Sequence, residues 1–113
     1  MAWIYHLARR ADWDAARTGG VYRGGAADRS DGFIHFSTAA RLAESAALYC
    51  AGIADLLVVA VDTASLGADL RWEAGRDGEA FPHLHGPLDM AAVRWARAAP
   101  LRADGRHDLP DLT

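Results

Sequence analysis

The feature that most constrains the fold of this chain is an almost unbroken apolar run near its middle. It spans residues 55–61 and reads DLLVVAV. The run has the length and β-branched composition of a strand. It lacks the alternation of apolar and polar residues that marks a strand with one solvent-exposed face. We therefore expect a central β-strand that is covered on both faces.

The rest of the chain alternates between short strands and helical segments. The best-marked helix follows the start signal Ser37-Thr38 and continues to Cys50, with leucines and alanines at helical spacing. Runs of strands with helices inserted early predict an α+β fold, with a mixed, mainly antiparallel sheet split around a cleft. Further strands are expected at 3–7, 21–22, 31–38, 70–73, 79–86 and 92–98, a short helix at 12–17, helical turns at 62–67 and 87–90, and a polar loop at 23–31.

A chain of 113 residues has room for one ordinary domain. We expect that domain to cover residues 1–113, with a core at about 3–100 and a polar tail at about 101–113. Pro82 lacks a backbone donor, so its strand should lie at a sheet edge or end near the proline. An apolar edge near Phe81 would also allow pairing across a homodimer.

Composition narrows the class of partner. The formal net charge is -3 and the twelve basic residues are dispersed arginines, which makes nucleic acid unlikely as the main partner. Cys50 is alone, so no internal disulfide is expected and the cytoplasm is the default compartment. We see no signal peptide and no apolar run of membrane length. The glycine-rich phosphate loops of Rossmann and Walker type are also missing from the sequence.

The segment 31–38, DGFIHFST, is the first candidate for a functional site. On an alternating strand His35 shares a face with Phe33 and Ser37, which puts an imidazole beside a hydroxyl. The alternative is a satisfied core histidine at His35, with Ser37 or Thr38 serving only to cap the next helix. A nucleophilic Ser37 is disfavoured because no nucleophile-elbow pattern surrounds it.

Carboxylates and further histidines supply the remaining candidates. Glu73 and Glu79 bracket a glycine-rich turn, and either could aim a carboxylate into a cleft shared with His6 and His35, unless both are surface groups. In His83-Leu84-His85 both rings share one face. With His35 or Glu79 as a third ligand, that pair would suit zinc or non-haem iron.

Several of these segments together resemble the bacterial domain-of-unknown-function family numbered 952, over nearly the whole chain. The resemblance is carried by residues 5–6, 32–38, 70–73, 81–84 and 86–88. That family is grouped by fold with the ADP-ribosyltransferases, whose small split α+β structure holds NAD between two sheets. The resemblance implies the same fold and NAD as a substrate.

Roles can be carried over by strand order. A first-strand histidine that binds a ribose hydroxyl matches His6, the second-strand motif resembles residues 36–38, and a later-strand glutamate that stabilises an oxocarbenium-like transition state matches Glu79. Aromatic rings would hold the base. The implied site therefore has His6 and Glu79 as catalytic residues and Tyr5, His35, Phe36, Ser37, Thr38, Trp72 and His83 as ligand-binding residues.

The leading interpretation is a small-ligand protein, an NAD-linked ADP-ribosyltransferase-like enzyme that needs no metal. The second is a catalytically silent binding or interaction domain of the same fold. The third is a metal-dependent enzyme that uses His83 and His85. The acceptor and the roles of His35 and His85 stay open.

Overall fold

The computed structural model describes residues 2–112, and within that range the chain forms an α+β fold, as predicted. The helices are α1 (Arg10–Gly19), α2 (Ala26–Asp31) and α3 (Ala39–Tyr49). The strands are β1 (Trp3–Arg9), β2 (Val21–Tyr22), β3 (Ile34–His35), β4 (Leu56–Asp62), β5 (Leu70–Ala74), β6 (Ala80–Leu84), β7 (Leu88–Asp89) and β8 (Val93–Ala98).

The strands form three separate antiparallel sheets. Their orders are β1-β4-β8, β3-β6-β5 and the two-stranded β2-β7. The two larger sheets meet at a single bridge, where Tyr5 and Ser37 exchange backbone hydrogen bonds of 2.9 and 2.7 Å. The residues after β3 are therefore held directly against β1.

β4 is the buried central strand that the apolar run predicts. Its residues from Leu56 to Val61 are at most 4% exposed. Leu57, Val59 and Val61 pack in one core with Ile34. Leu56, Val58 and Ala60 face a second core that includes Tyr5, Leu42 and Ala99. The missing alternation in the sequence thus reflects a strand between two apolar layers.

Several local predictions were wrong, and the strand expected at 31–38 is only Ile34–His35. Residues 26–31 form the helix α2, not a loop, because the Asp28 carboxylate accepts the Gly25 backbone N–H at 2.7 Å and satisfies a donor at the helix start. The expected helical turn at 87–90 is instead the strand β7 followed by a 3₁₀ turn at Met90–Ala92.

The strand that contains Pro82 is not at an edge, because β6 is the central strand of its sheet. The Pro82 carbonyl accepts the Phe36 N–H at 3.0 Å. Because the nitrogen and carbonyl of one residue in a strand point to the same side, the Pro82 nitrogen, which has no hydrogen to donate, also faces β3. Regular pairing with β3 covers only Ile34 and His35, which leaves Pro82 just past its end. Phe81 pairs with Glu73 of β5, and regular β3 pairing reaches only His83 and Leu84, so pairing across a homodimer near Phe81 stays a prediction.

Residues 101–112, expected as a polar tail, fold back onto the second core. Leu109 and Leu112 pack against it, and the Tyr5 hydroxyl donates to the Leu112 carbonyl at 3.2 Å. Leu101 and His107 form a backbone bridge, and His107 is buried. In residues 2–112 no helix has the length and apolar character needed to cross a membrane.

Leu109→Ala should therefore lower the free energy of unfolding by about 1–2 kcal/mol, because it removes apolar contacts with the second core. Leu48→Ala is the matched control, since Leu48 is 56% exposed and should change stability by about 0.5 kcal/mol or less. Urea denaturation of both variants measures the difference. Equal stabilities would mean that the C-terminal segment does not contribute to the fold.

Candidate functional site

Three histidines gather on one face of the β3-β6-β5 sheet. His35 on β3 is directly opposite His83 on β6, and their ring centroids are 5.7 Å apart. His85 follows β6 directly. We call His35, His83 and His85, with Phe33 and the carboxylates Asp28 and Glu73, the imidazole cluster.

Phe33 lies at the centre of this cluster. Its ring stacks on His83 at 4.1 Å with an interplanar angle of 20°, and it is 4.7 Å from His35 and 5.1 Å from His85. An aromatic face against each ring restricts how the imidazoles can turn. The three side chains are therefore held in defined orientations.

His35 is bound by two carboxylates. Its Nδ1 donates to Asp28 Oδ1 at 2.6 Å, and its Nε2 lies 3.0 Å from Asp31 Oδ2. The Asp28 hydrogen bond is the main reason why the pKa of His35 is raised. The His35 side chain is 40% exposed, so the imidazole ring reaches solvent here.

Asp28 is a buried residue that holds His35 in place through hydrogen bonds. Burial raises the pKa of this carboxyl, but hydrogen bonds and nearby charge, the His35 side chain first, bring it below its usual value. It also accepts the backbone N–H groups of His35 at 3.0 Å and Gly25 at 2.7 Å. Gly24 is needed beside it: its φ is +91°, and a Cβ there would lie 2.5 Å from the Asp28 Cβ.

His6 supports the cluster from inside the core. It is 3% exposed, its Nδ1 donates to the His35 carbonyl at 2.6 Å, and its Nε2 lies 2.7 Å from the Tyr22 hydroxyl. A carbonyl can only accept, so the neutral ring carries its proton on Nδ1 and accepts from Tyr22 at Nε2. Burial lowers the pKa of His6, which favours this neutral form. Both ring nitrogens thus have partners within the protein.

Glu73 joins the other two imidazoles. Its Oε1 lies 2.9 Å from His83 Nδ1 and 2.6 Å from His85 Nε2. These hydrogen bonds, His85 first, lower the pKa of Glu73. The third group beside the two histidines is therefore Glu73, and not His35 or Glu79 as the metal hypothesis expected.

Ser37 and Glu79 belong to a second polar group, which we call the arginine cluster. It links Ser37 to Ser45 at 2.9 Å, and it continues through the guanidinium of Arg76, which donates to Ser45 at 3.2 Å. Glu79 forms an ion pair with Arg41. The members of the arginine cluster are Ser37, Arg41, Glu44, Ser45, Arg76 and Glu79.

The remaining predicted residues lie outside both clusters. Tyr5 and Phe36 are buried in separate cores. Thr38 precedes α3 without a side-chain cap hydrogen bond. Trp72 is 48% exposed, and strand alternation puts it on the opposite face of β5 from Glu73.

Asp28 was missed because it was interpreted as part of a loop. A signal was present: a glycine at the N-cap with an acidic residue three positions later is a helix-start pattern. Tyr22 and Arg76 carried no local signal, because their partners lie 16 and 31–32 residues away.

Two clefts of the structure are lined by residues outside the imidazole cluster and the arginine cluster. One of about 510 Å³ lies against α1 and β8, and one of about 290 Å³ lies between α3 and the C-terminal segment. The imidazole cluster is thus a surface site on the sheet rather than part of either cleft.

Asp28→Asn should destabilise the protein by about 2–3 kcal/mol, because it weakens charge-assisted hydrogen bonds to a buried carboxylate. Asp31→Asn is the matched control. The Asp31 side chain is 54% exposed and also contacts His35, so its loss should cost less than about 1 kcal/mol. Equal losses in denaturant melts would contradict a supporting role for Asp28.

The Asp28–His35 pair should also make stability depend on pH. Because the folded-state pKa of His35 is raised from 6.5, its contribution is full below 6.5 and disappears as pH rises through the raised value. The pKa of Asp28 is lowered from 3.8, so its contribution is lost at acid pH. The stability gap between the native protein and His35→Gln should thus be larger near pH 6 than near pH 9 in urea melts. A gap that is constant over this range would contradict the pairing.

Comparison with known proteins identifies close structural relatives. Crystal structures of protein CC0527 from Caulobacter crescentus and of its double mutant match with TM-scores of 0.89 at 44% and 43% identity, each over 93% of this chain and 92% of the other. The solution NMR structure of CC0527 matches with a TM-score of 0.85 at 43% identity, over 100% and 97%. None of the curated proteins matches. Residues 7–96 match the family described as "Protein of unknown function (DUF952)", and the chain belongs to that family.

Proposed function

We propose that this protein binds NAD on the face of the β3-β6-β5 sheet that carries the imidazole cluster, as an ADP-ribosyltransferase-like enzyme. The bond between nicotinamide and ribose breaks, nicotinamide leaves, and water or another acceptor nucleophile bonds to the ribosyl carbon. The observation that carries the proposal is the arrangement along β6. Phe81 and His83 alternate onto one face of β6, and Glu79 directly precedes the strand, so four extended residues put the Cα atoms of Glu79 and His83 roughly 13 Å apart. An extended dinucleotide can reach from one to the other.

Arg71 is the best group to receive the phosphates of such a ligand. It is directly opposite His83 on β5, and its side chain is exposed. Within residues 2–112 its guanidinium has no hydrogen-bond or ion-pair partner, whereas Arg41 and Arg76 are neutralised by Glu44 and Glu79. An unpaired, exposed guanidinium favours a bidentate contact with phosphate.

Glu79 would supply the chemistry. Cleavage of the nicotinamide bond builds positive charge on the ribose, and a carboxylate opposite that charge lowers the barrier. Its side chain is 44% exposed, so a ligand can reach it once the contact with Arg41 loosens. His6 would act as a positioning residue through the His35 backbone, because both of its ring nitrogens bond within the protein.

A catalytically silent binding domain is the second candidate. This candidate is favoured because side chains proposed for the site already have partners within the protein: Glu79 pairs with Arg41, and Ser37 with Ser45. In that case the same face binds ligand without breaking a bond.

The test is an amide chemical-shift titration with NAD, followed by an assay for nicotinamide release. We expect saturable shifts near His35, Arg71 and Glu79, and Arg71→Gln should weaken binding about tenfold or more. Arg94→Gln is the matched control, since Arg94 lies on β8 in the other large sheet. The absence of any NAD response would overturn the proposal.

Turnover is tested separately. Glu79→Gln should abolish nicotinamide release with little loss of stability, because the side chain is largely exposed. Glu44→Gln also removes a carboxylate partner of Arg41, and it should retain release. Full activity in Glu79→Gln would contradict the catalytic role, and NAD binding without release in the native protein would favour the silent domain.

A further inference from the structure

We infer that Glu73, His83 and His85 form a binding site for a single divalent transition-metal ion of the zinc class. One ligand atom from each residue lies within 4.8 Å of the other two. The set of two imidazole nitrogens and one carboxylate oxygen is one that zinc prefers. This inference goes beyond the proposed function and does not depend on it.

The two imidazole–carboxylate distances fit an ion after only small movements, and the two imidazole nitrogens lie within 4.8 Å of each other. Glu73 Oε1 is 2.9 Å from His83 Nδ1 and 2.6 Å from His85 Nε2. Zinc bonds of about 2.0–2.1 Å in tetrahedral geometry put neighbouring ligand atoms about 3.4 Å apart. The two imidazole–carboxylate contacts would open by less than about 1 Å, and each neutral imidazole would carry its remaining proton on its other nitrogen.

The backbone holds the three ligands in place before any ion binds. Glu73 lies on β5, which pairs with β6 along its whole length. The His85 backbone N–H donates to the Asp69 carbonyl at 2.8 Å. A Cβ at Gly86 would lie 2.4 Å from Asp69 Oδ2, so the glycine after His85 leaves room for the Asp69 side chain. The ion would thus cost little ordering of the chain.

The orientation of the rings also suits a metal. Phe33 stacks on His83 and fixes the plane of that ring. The side chains of Glu73, His85 and His83 are 39%, 25% and 11% exposed, so the site opens to solvent. Three protein ligands with an open fourth position are the arrangement of catalytic rather than structural zinc sites. The open position could take a water molecule or a ligand oxygen.

The experiment is a zinc titration of the metal-free protein by competition with a chromophoric chelator, without NAD. We expect one ion per chain. His85→Gln and Glu73→Gln should each weaken the affinity by about 100-fold or more, because each removes a direct ligand. His35→Gln and Glu44→Gln remove an imidazole and a carboxylate outside the trio, and both should keep the native affinity within about threefold. Circular dichroism of each variant checks that it is folded.

A second readout reports the geometry directly. The metal-free protein loaded with cobalt should show the intense visible absorption of a four-coordinate ion, and His85→Gln should lose it. Zinc should shift the ring nitrogen resonances of His83 and His85 but not those of His107. No saturable binding at one ion per chain, or an equal loss of affinity in His35→Gln and His85→Gln, would overturn the inference. Failure of NAD to bind would leave the zinc result unchanged, so the two proposals fail separately.

Discussion

The buried carboxylate of Asp28 is the interaction on which the functional face depends. A charge with so little access to water must be compensated by hydrogen bonds. Asp28 meets that requirement with Gly25 at the start of α2 and with the backbone and ring of His35. His6 then holds the His35 carbonyl from the core side. One carboxylate therefore connects a short helix, the strand β3 and the hydrophobic core.

This arrangement divides the histidines into two kinds. His6 is enclosed and bonded at both nitrogens, which suits a residue that positions others. His35 and His85 reach the surface of the β3-β6-β5 sheet beside carboxylates, and His83 lies between them with its side chain 11% exposed. An imidazole that keeps a solvent-facing side is available to a ligand or an ion, and an enclosed one is not. The two proposals therefore use the surface face, with Arg71 serving the nucleotide and Glu73 the metal.

Elements with a strong local pattern were predicted well. The apolar run at 55–61 and the alanine-rich helix after Thr38 were both found, because burial on two faces and helical spacing are visible in adjacent residues. The central position of Pro82 in its sheet was not predicted. A proline is excluded from a central strand only where a neighbouring strand would need its missing N–H donor. The packing of Leu109 and Leu112 was also missed, because a short polar segment gives no sign of the apolar surface that it will cover.

The sequence by itself determined the α+β class, the family and the kinds of chemical group available: histidines, a few glutamates and dispersed arginines. Only the tertiary structure decided which of them meet. Glu73 reaches His83 and His85 because β5 pairs with β6 in one particular register, and Glu79 is drawn to Arg41 on α3. Asp28 reaches His35 because α2 folds back over β3. Register depends on the hydrophobic pattern and the turn together with the partner strand, so the residues of one element do not by themselves identify the side chains that it will meet.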